Sequence, residues 1–331
     1  MRGRMHRRRL AMLGLAALSA PLASRVAEAR PWQSQPPLRP APIDGARAYG
    51  YLKAICALGR RPAGSAANQR QRQMVAEHFR KLGGQVREQP FTARDPADGR
   101  IVRLANLIGS WHPERTERVI LCAHYDTRPF ADQEFDPIEA RKPFLGANDG
   151  ASGVALLMEI AHHLNELETP WGVDLVLFDA EELVYGQNGE YFLGSKHFAE
   201  RYRAGRRAGG SGARTTYVAG ILLDMVGGKD LRLPREPYSL RYAPRLVDQV
   251  WGVARQLRAT AFVDQVGREV LDDHLPLNEA GIPTIDIIDF DYPHWHRASD
   301  TPEQCSPESL EQVGRVVTAW LSLPRDAVRP R

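Results

Sequence analysis

The segment Phe178-Asp179-Ala180-Glu181-Glu182 ends an apolar run on two adjacent carboxylates. Neighbouring side chains point in different directions, so one can hold a metal ion while the other reaches a substrate as a proton carrier. In Leu222-Leu223-Asp224-Met225-Val226 an aspartate interrupts an otherwise apolar strand pattern. An unpaired charge buried there would be costly, which points to a metal or catalytic role for Asp224. In Ala123-His124-Tyr125-Asp126 the two-residue period puts His124 and Asp126 on one side of an extended segment. A metal-binding histidine needs a neighbour that fixes its tautomer, and Asp126 is suited to that. Gly146-Ala147-Asn148-Asp149-Gly150-Ala151-Ser152-Gly153 runs directly into an apolar helix, with Asp149 near its start. Further candidates lie in Leu271-Asp272-Asp273-His274 and in Pro293-His294-Trp295-His296.

Taken singly, each has a plain structural alternative. His124 reads equally as a solvated loop histidine, the Gly146–Gly153 run as a helix cap built on Asn148, Asp149 or Ser152, and Glu181–Glu182 as a surface acidic pair. Together they gather at the carboxyl ends of predicted strands, where open α/β sheets bind ligands. Oxygen and imidazole donors without cysteine suit zinc in a catalytic site with an open position. His162 and His163 read as ordinary helix residues. Cys56, Cys122 and Cys305 are too few for a disulfide framework, although an oxidising compartment would allow one pair, and Cys122 reads as a buried packing residue.

The elements that must position these groups follow from the apolar pattern. Strand-like runs recur at 101–108, 118–123, 173–178, 220–226 and 284–288, and helical spacing at 68–82, 153–167, 193–202, 243–257 and 309–321. Continuous apolar strands alternating with amphipathic helices predict one α/β domain, a mostly parallel mixed sheet covered by helices on both faces. The catalytic domain is expected over 46–323, with a tail at 324–331. Residues 30–45 read as a Pro-rich linker, since 30–43 carry five prolines. Residues 1–29 read as an export signal: a basic start to Arg9, an apolar run over 10–23 that is too short to span a bilayer, and a small-x-small site at Ala27-Glu28-Ala29. The expected location is periplasmic or secreted, with no stable membrane insertion once the signal is removed. Of the net charge of +4, those 29 residues supply +5 (six Arg, one Glu), leaving −1 for the rest. The basic balance therefore belongs to the leader, and a nucleic-acid partner is excluded on that ground.

From about Gly50 to Leu321 the chain resembles the zinc aminopeptidase family, and within it the glutaminyl cyclases. The resemblance rests on HYDT at His124, GANDGASG at Asp149, FDAEE at Glu182, LLDMVG at Asp224 and Trp295-His296. The cyclase branch is indicated by Asp272-Asp273-His274 with Leu-Pro following, by the Trp before the last histidine, and by Gly194-Ser195-Lys196-His197-Phe198. It implies one zinc on Asp149, Glu182 and His296, and Glu181 as general acid/base. Asp224 and Asp273 would form an acidic hydrogen-bond network beside the substrate, and Trp295 would wall its pocket. The implied reaction converts the N-terminal glutamine of peptides or proteins to pyroglutamate with release of ammonia. His124 and Asp224 complete the ligand set of a two-zinc aminopeptidase, so hydrolysis of N-terminal residues is the alternative. A zinc-stabilised binding domain without turnover is a third. Leu183-Val184-Tyr185-Gly186 stands where animal cyclases carry a tryptophan. The segment Arg128–Leu145 reads either as a pocket rim or as a plain surface loop.

Overall fold

The computed structural model describes residues 38–185, 188–207 and 215–328, so the expected signal at 1–29 and the first half of the linker, 30–37, lie outside the described residues. The chain opens with helices α1 (Gly45–Cys56) and α2 (Ala66–Lys81), then strands β1 (Gln85–Arg94), β2 (Ile101–Trp111) and β3 (Glu117–His124). Next come α3 (Ser152–Ala161), β4 (Gly172–Phe178), the two-residue strands β5 (Val184–Tyr185) and β6 (Asn188–Gly189), α4 (Leu193–Arg207) and β7 (Thr216–Asp224). The last third holds β8 (Leu233–Arg235), α5 (Pro237–Tyr242), α6 (Pro244–Gln256), β9 (Phe262–Val266), α7 (His274–Glu279), β10 (Thr284–Ile288), α8 (Pro307–Leu321) and α9 (Arg325–Val328).

Six strands form one sheet in the order β1-β2-β4-β3-β7-β10. The pairs β4–β3, β3–β7 and β7–β10 are parallel, while β1–β2 and β2–β4 are antiparallel. The five strands read from the apolar runs are all present. The sixth strand of this sheet, not among those expected from apolar runs, is β1, Gln85–Arg94, which contains Pro90 and no fully buried residue. An edge strand half in water needs no apolar run, and a proline is tolerated there.

Alternate strand residues feed two cores. Val119, Leu121, Ala123, Leu175, Leu177, Ile221, Leu223, Ile285 and Ile287 pack under α1, α3, α6 and α8. Ile120, Cys122, Val176, Phe178 and Leu222 face Phe198 of α4 and Leu277 of α7. Both faces are thus covered, as parallel sheets require. Helix α3 stops at Ala161, short of the predicted 167, and all ten of its residues are buried. The end of the Pro-rich stretch also packs inward: Ala41 and Ile43 belong to the core, and the Ala41 N–H donates to Thr318 Oγ1. The three cysteines are buried thiols, and burial pushes Cys56 up to about 11.

Candidate metal centre and cavity

The four parallel strands deliver the candidate residues to one end of the sheet. His124 is the last residue of β3 and Asp224 the last of β7, the acidic pair follows β4, and His296 lies eight residues beyond β10. Three non-glycine residues with positive φ sit among them: Ala180 (58°), Met225 (46°) and His296 (53°). Such conformations cost on the order of 1–3 kcal/mol each and collect where the surroundings fix a functional geometry.

Asp149 is presented by the turn between β3 and α3, where Gly146 (φ 54°) and Gly150 (φ 93°) supply left-handed backbone. The turn does not cap α3, whose N-cap is Ala151, with no side chain accepting from the helix's first N–H groups there. Its polar groups instead tie it to its neighbours. Asn148 Oδ1 accepts from Gly227 N (2.7 Å), Ser152 Oγ accepts from Val226 N (3.1 Å), and Asp300 accepts from Asn148 N (2.9 Å) and Asp149 N (3.2 Å). The carboxylate that ends the Trp295–Asp300 loop therefore holds the Asp149 turn.

The donors meet in two groups that share Asp149: His124, Asp149 and Asp224, and Asp149, Glu182 and His296. His124 Nε2 is 3.1 Å from Asp149 Oδ1 and 3.2 Å from Asp224 Oδ1. His296 Nε2 is 2.8 Å from Glu182 Oε1 and 3.5 Å from Asp149 Oδ2. Donors bound about 2.1 Å from one tetrahedral ion stand about 3.4 Å apart, so these spacings fit a shared divalent cation. Asp149 Oδ2, although buried, has no hydrogen-bond partner, as an atom reserved for a metal would. The set of oxygen and imidazole donors suits zinc.

Glu181 and Asp224 line a cavity of about 410 Å³ that opens beside the donors. Trp295 walls it, stacked on the His296 ring at 4.1 Å between centroids and set against Phe290 at 5.0 Å. Asp272, rather than its neighbour Asp273, reaches the cavity wall. Asp273 is fully buried behind it and accepts from Ser195 Oγ–H at 2.5 Å. Asp126 also departs from expectation. It stays 3.8 Å from His124 Nδ1, while its two oxygens accept from the backbone N–H groups of Glu181 and Glu182, each at 3.0 Å. Its main partner is thus the start of the acidic pair. Sequence reasoning did not find Arg128, whose Nη1 donates to Glu182 Oε2 at 2.8 Å, nor Asp132, whose Oδ1 is 2.8 Å from His296 Nδ1.

Burial and the adjacent Glu182 carboxylate hold Glu181 well above the ordinary carboxylate range. Burial also opposes ionisation of Glu182, yet His296 and Arg128 hold it down at about 2. Burial likewise disfavours the His296 imidazolium, which Glu182 and Asp132 raise to about 10. Asp272 lies well above its usual range through burial and the charges of Asp224 and Asp273. Two adjacent carboxylates are thus pushed apart, one toward a fixed anion and the other toward a group that can carry a proton, the division of labour acid/base chemistry needs.

The chain resembles known proteins over most of its length. The model of peptidase family M28 matches residues 106–321. The crystal structure of a glutaminyl cyclase from Fimbriiglobus ruber superposes with a TM-score of 0.84 at 42% identity, covering 90% of this chain and 100% of that one. The chain belongs to peptidase family M28, in its glutaminyl cyclase branch. A mouse glutaminyl-peptide cyclotransferase-like protein is 24% identical over 306 residues, 85% of this chain and 76% of that protein. A Zn-dependent exopeptidase from Parabacteroides distasonis superposes with a TM-score of 0.76 at 33% identity, covering 85% of this chain and 98% of that one.

Proposed function

We propose that this enzyme converts the N-terminal glutaminyl residue of a peptide or protein to pyroglutamate, releasing ammonia. The observation that carries the reading is the convergence of Asp149, Glu182 and His296, with Glu181 beside them on the cavity wall, in a chain 42% identical to a glutaminyl cyclase. A single zinc held by those three residues would supply Lewis-acid polarisation of the γ-carboxamide carbonyl. The substrate brings its own nucleophile: the α-amine nitrogen bonds to the γ-carbonyl carbon, and the carbon–nitrogen bond of the amide then breaks. Glu181 accepts the proton lost by the α-amine and returns it to the departing nitrogen, which leaves as ammonia. Trp295 and Phe290 hold the side chain folded on itself, so ring closure is unimolecular and no water need be activated. Asp224 and Asp272, on the same wall, orient the α-amine.

The second group, His124, Asp149 and Asp224, favours one rival: with two zinc ions the same cavity would hydrolyse N-terminal residues. Two peptides separate the readings. A Gln-initiated peptide should lose one ammonia and become blocked at its amine, while a Leu-initiated peptide should stay intact; release of free leucine would establish the peptidase. The Glu181→Gln variant should lose about 10²–10⁴-fold in kcat while keeping its zinc, read by metal analysis. Loss of zinc in that variant would exchange the roles of Glu181 and Glu182. Residues 1–29 support export as a cleaved signal, and among the described residues no helix is long and apolar enough to cross a membrane. Mass analysis of the protein recovered from its host should show a start near Arg30.

A further inference from the structure

The Arg128–Leu145 segment, read from sequence as either a pocket rim or a plain loop, is bonded along the strand-end turn that carries His296. Gln133 N–H donates to the His296 carbonyl (3.1 Å), Ala298 N–H donates to Glu134 Oε1 (2.9 Å), and the Arg297 guanidinium lies 5.4 Å from the centre of the Phe135 ring. Between these ties the side chains close a ring. Asp132 Oδ1 is 2.8 Å from His296 Nδ1, and Asp132 Oδ2 accepts from Arg128 Nε (3.0 Å) and Nη2 (2.7 Å). Arg128 Nη1 donates to Glu182 Oε2 (2.8 Å), and Glu182 Oε1 stands 2.8 Å from His296 Nε2. Arg128 is 4% exposed, and a guanidinium shielded this way, bridging two carboxylates, makes strong, directional contacts. His296 is held at φ 53°, a conformation an imidazole-bearing residue keeps only where its surroundings over-determine it.

We propose that Arg128 and Asp132 are a positioning pair for the metal ligands Glu182 and His296. The Asp132 carboxylate, 2.8 Å from His296 Nδ1 in an ion-pair contact, favours a proton on that nitrogen, which leaves the Nε2 lone pair for the ion. Arg128 occupies Glu182 Oε2, so that Glu182 offers Oε1 alone. The pair sets the ligand directions from a segment whose Gln133 also lines the cavity, which joins the pocket rim to the metal. This rests on the reading of Asp149, Glu182 and His296 as zinc ligands, not on which reaction the zinc serves.

The test is zinc affinity, measured by competition between the metal-free protein and a chromophoric chelator. Asp132→Ala should bind zinc about 10–100-fold more weakly, the range for losing a partner that orients a metal ligand. Asp132→Asn, whose amide oxygen keeps a partial negative charge beside Nδ1, should lose less. Arg128→Lys combined with Asp132→Asn should cost less than the sum of the two single changes, because the residues act as one unit. At subsaturating zinc the lost turnover of Asp132→Asn should return on adding zinc, at unchanged KM for the peptide. A bridge that merely ties down the loop would change the melting temperature of the metal-free protein and leave zinc affinity within about twofold of wild type. That result overturns the proposal; should Asp132→Ala not fold, Asp132→Asn decides. A wild-type chain that binds zinc yet cyclises nothing overturns the reaction alone, and one that binds no zinc overturns the ligand assignment and the positioning pair together.

Discussion

Asp126 fixes where the acidic pair starts, because its carboxylate accepts from the backbone N–H groups of both Glu181 and Glu182 at 3.0 Å. Asp126→Ala leaves two buried donors without partners, at about 1–3 kcal/mol each. It also frees the Ala180–Glu182 turn to move, and a displacement near 1 Å at a reacting group costs about 10²-fold in rate. We expect a loss of that order in kcat together with a lower melting temperature, and Asp126→Asn, which keeps one acceptor, should recover part of both. Unchanged kcat would mean that the strained Ala180 backbone alone places Glu181. This role was not legible in the sequence, where the two-residue spacing pairs Asp126 with His124. Every residue has the same backbone N–H, so no pattern of residue types reveals which carboxylate receives it. His124, Asp149, Glu181, Glu182, Asp224 and His296 were legible, because ionisable groups gathered at the ends of apolar strands are costly to bury unless an ion or a substrate meets them there. The choice between Asp272 and Asp273 turns on where the chain enters α7 at His274, which adjacent identical residues cannot reveal. Arg128, Asp132 and Asp300 act across 54, 164 and 152 residues, distances over which periodicity carries no signal.

At the scale of elements, α3 lies so close to β7 that the glycine in its first turn has no room for a side chain. A methyl group on Gly153 would run into the Leu223 carbonyl oxygen and the Ala123 side chain. Gly153→Ala gains helix propensity of about 1 kcal/mol but must push α3 off the sheet. Because α3 follows Asp149 and Leu223 precedes Asp224, we expect a lower melting temperature and weaker metal binding together. A stabilised variant with normal zinc affinity would refute the close-packing argument. The other side of α3 predicts a pH effect. Buried Glu159 accepts from Asp44 N and from Arg47 Nε and Nη2, with His163 Nε2 at 3.1 Å, and so docks α1. Although burial opposes its charge, His163 and Arg47 hold Glu159 down at about 2, against an ordinary value of 4.5. The folded state therefore favours the anion: the contribution is present above pH 4.5 and is lost as pH falls toward 2. Glu159→Gln should be less stable than wild type at pH 7, by about 1–3 kcal/mol, with the gap closing between pH 4.5 and 2 in thermal melts. A gap that stays constant with pH would refute the ionic account. The five apolar strands were legible because burial on both faces leaves no polar positions. Edge strand β1 and the short helices α5 and α7 were not, since each is too short or too wet to impose a period.

Over the whole molecule, the strand-end rule that made the site legible also creates its main liability. The sheet carries Asp149, Glu181, Glu182, Asp224 and Asp272 to one end and buries each to 9% exposure or less, with His124, His296, Arg128 and the buried Arg61 among the neighbouring positive groups. Carboxylates brought together out of water repel one another and lose hydration, so the fold forms this cluster against an electrostatic cost. A divalent ion shared by Asp149, Glu182 and His296 removes much of that cost, and it binds the folded chain far better than the unfolded one. Mass action then makes zinc a stabiliser by about 4 kcal/mol when free metal exceeds Kd 1,000-fold. For a domain of this size that amounts to a rise in melting temperature of about 7 °C. Dialysis against a chelator should lower the melting temperature by that margin, and added zinc should restore it. In Asp149→Asn, which weakens the donor common to both groups, the zinc-dependent shift should shrink while the metal-free protein becomes more stable than metal-free wild type, because one of the crowded charges has gone. If chelation leaves the wild-type melting curve where it was, the carboxylates tolerate one another without an ion, and the cluster is a buried acidic network and not a metal centre.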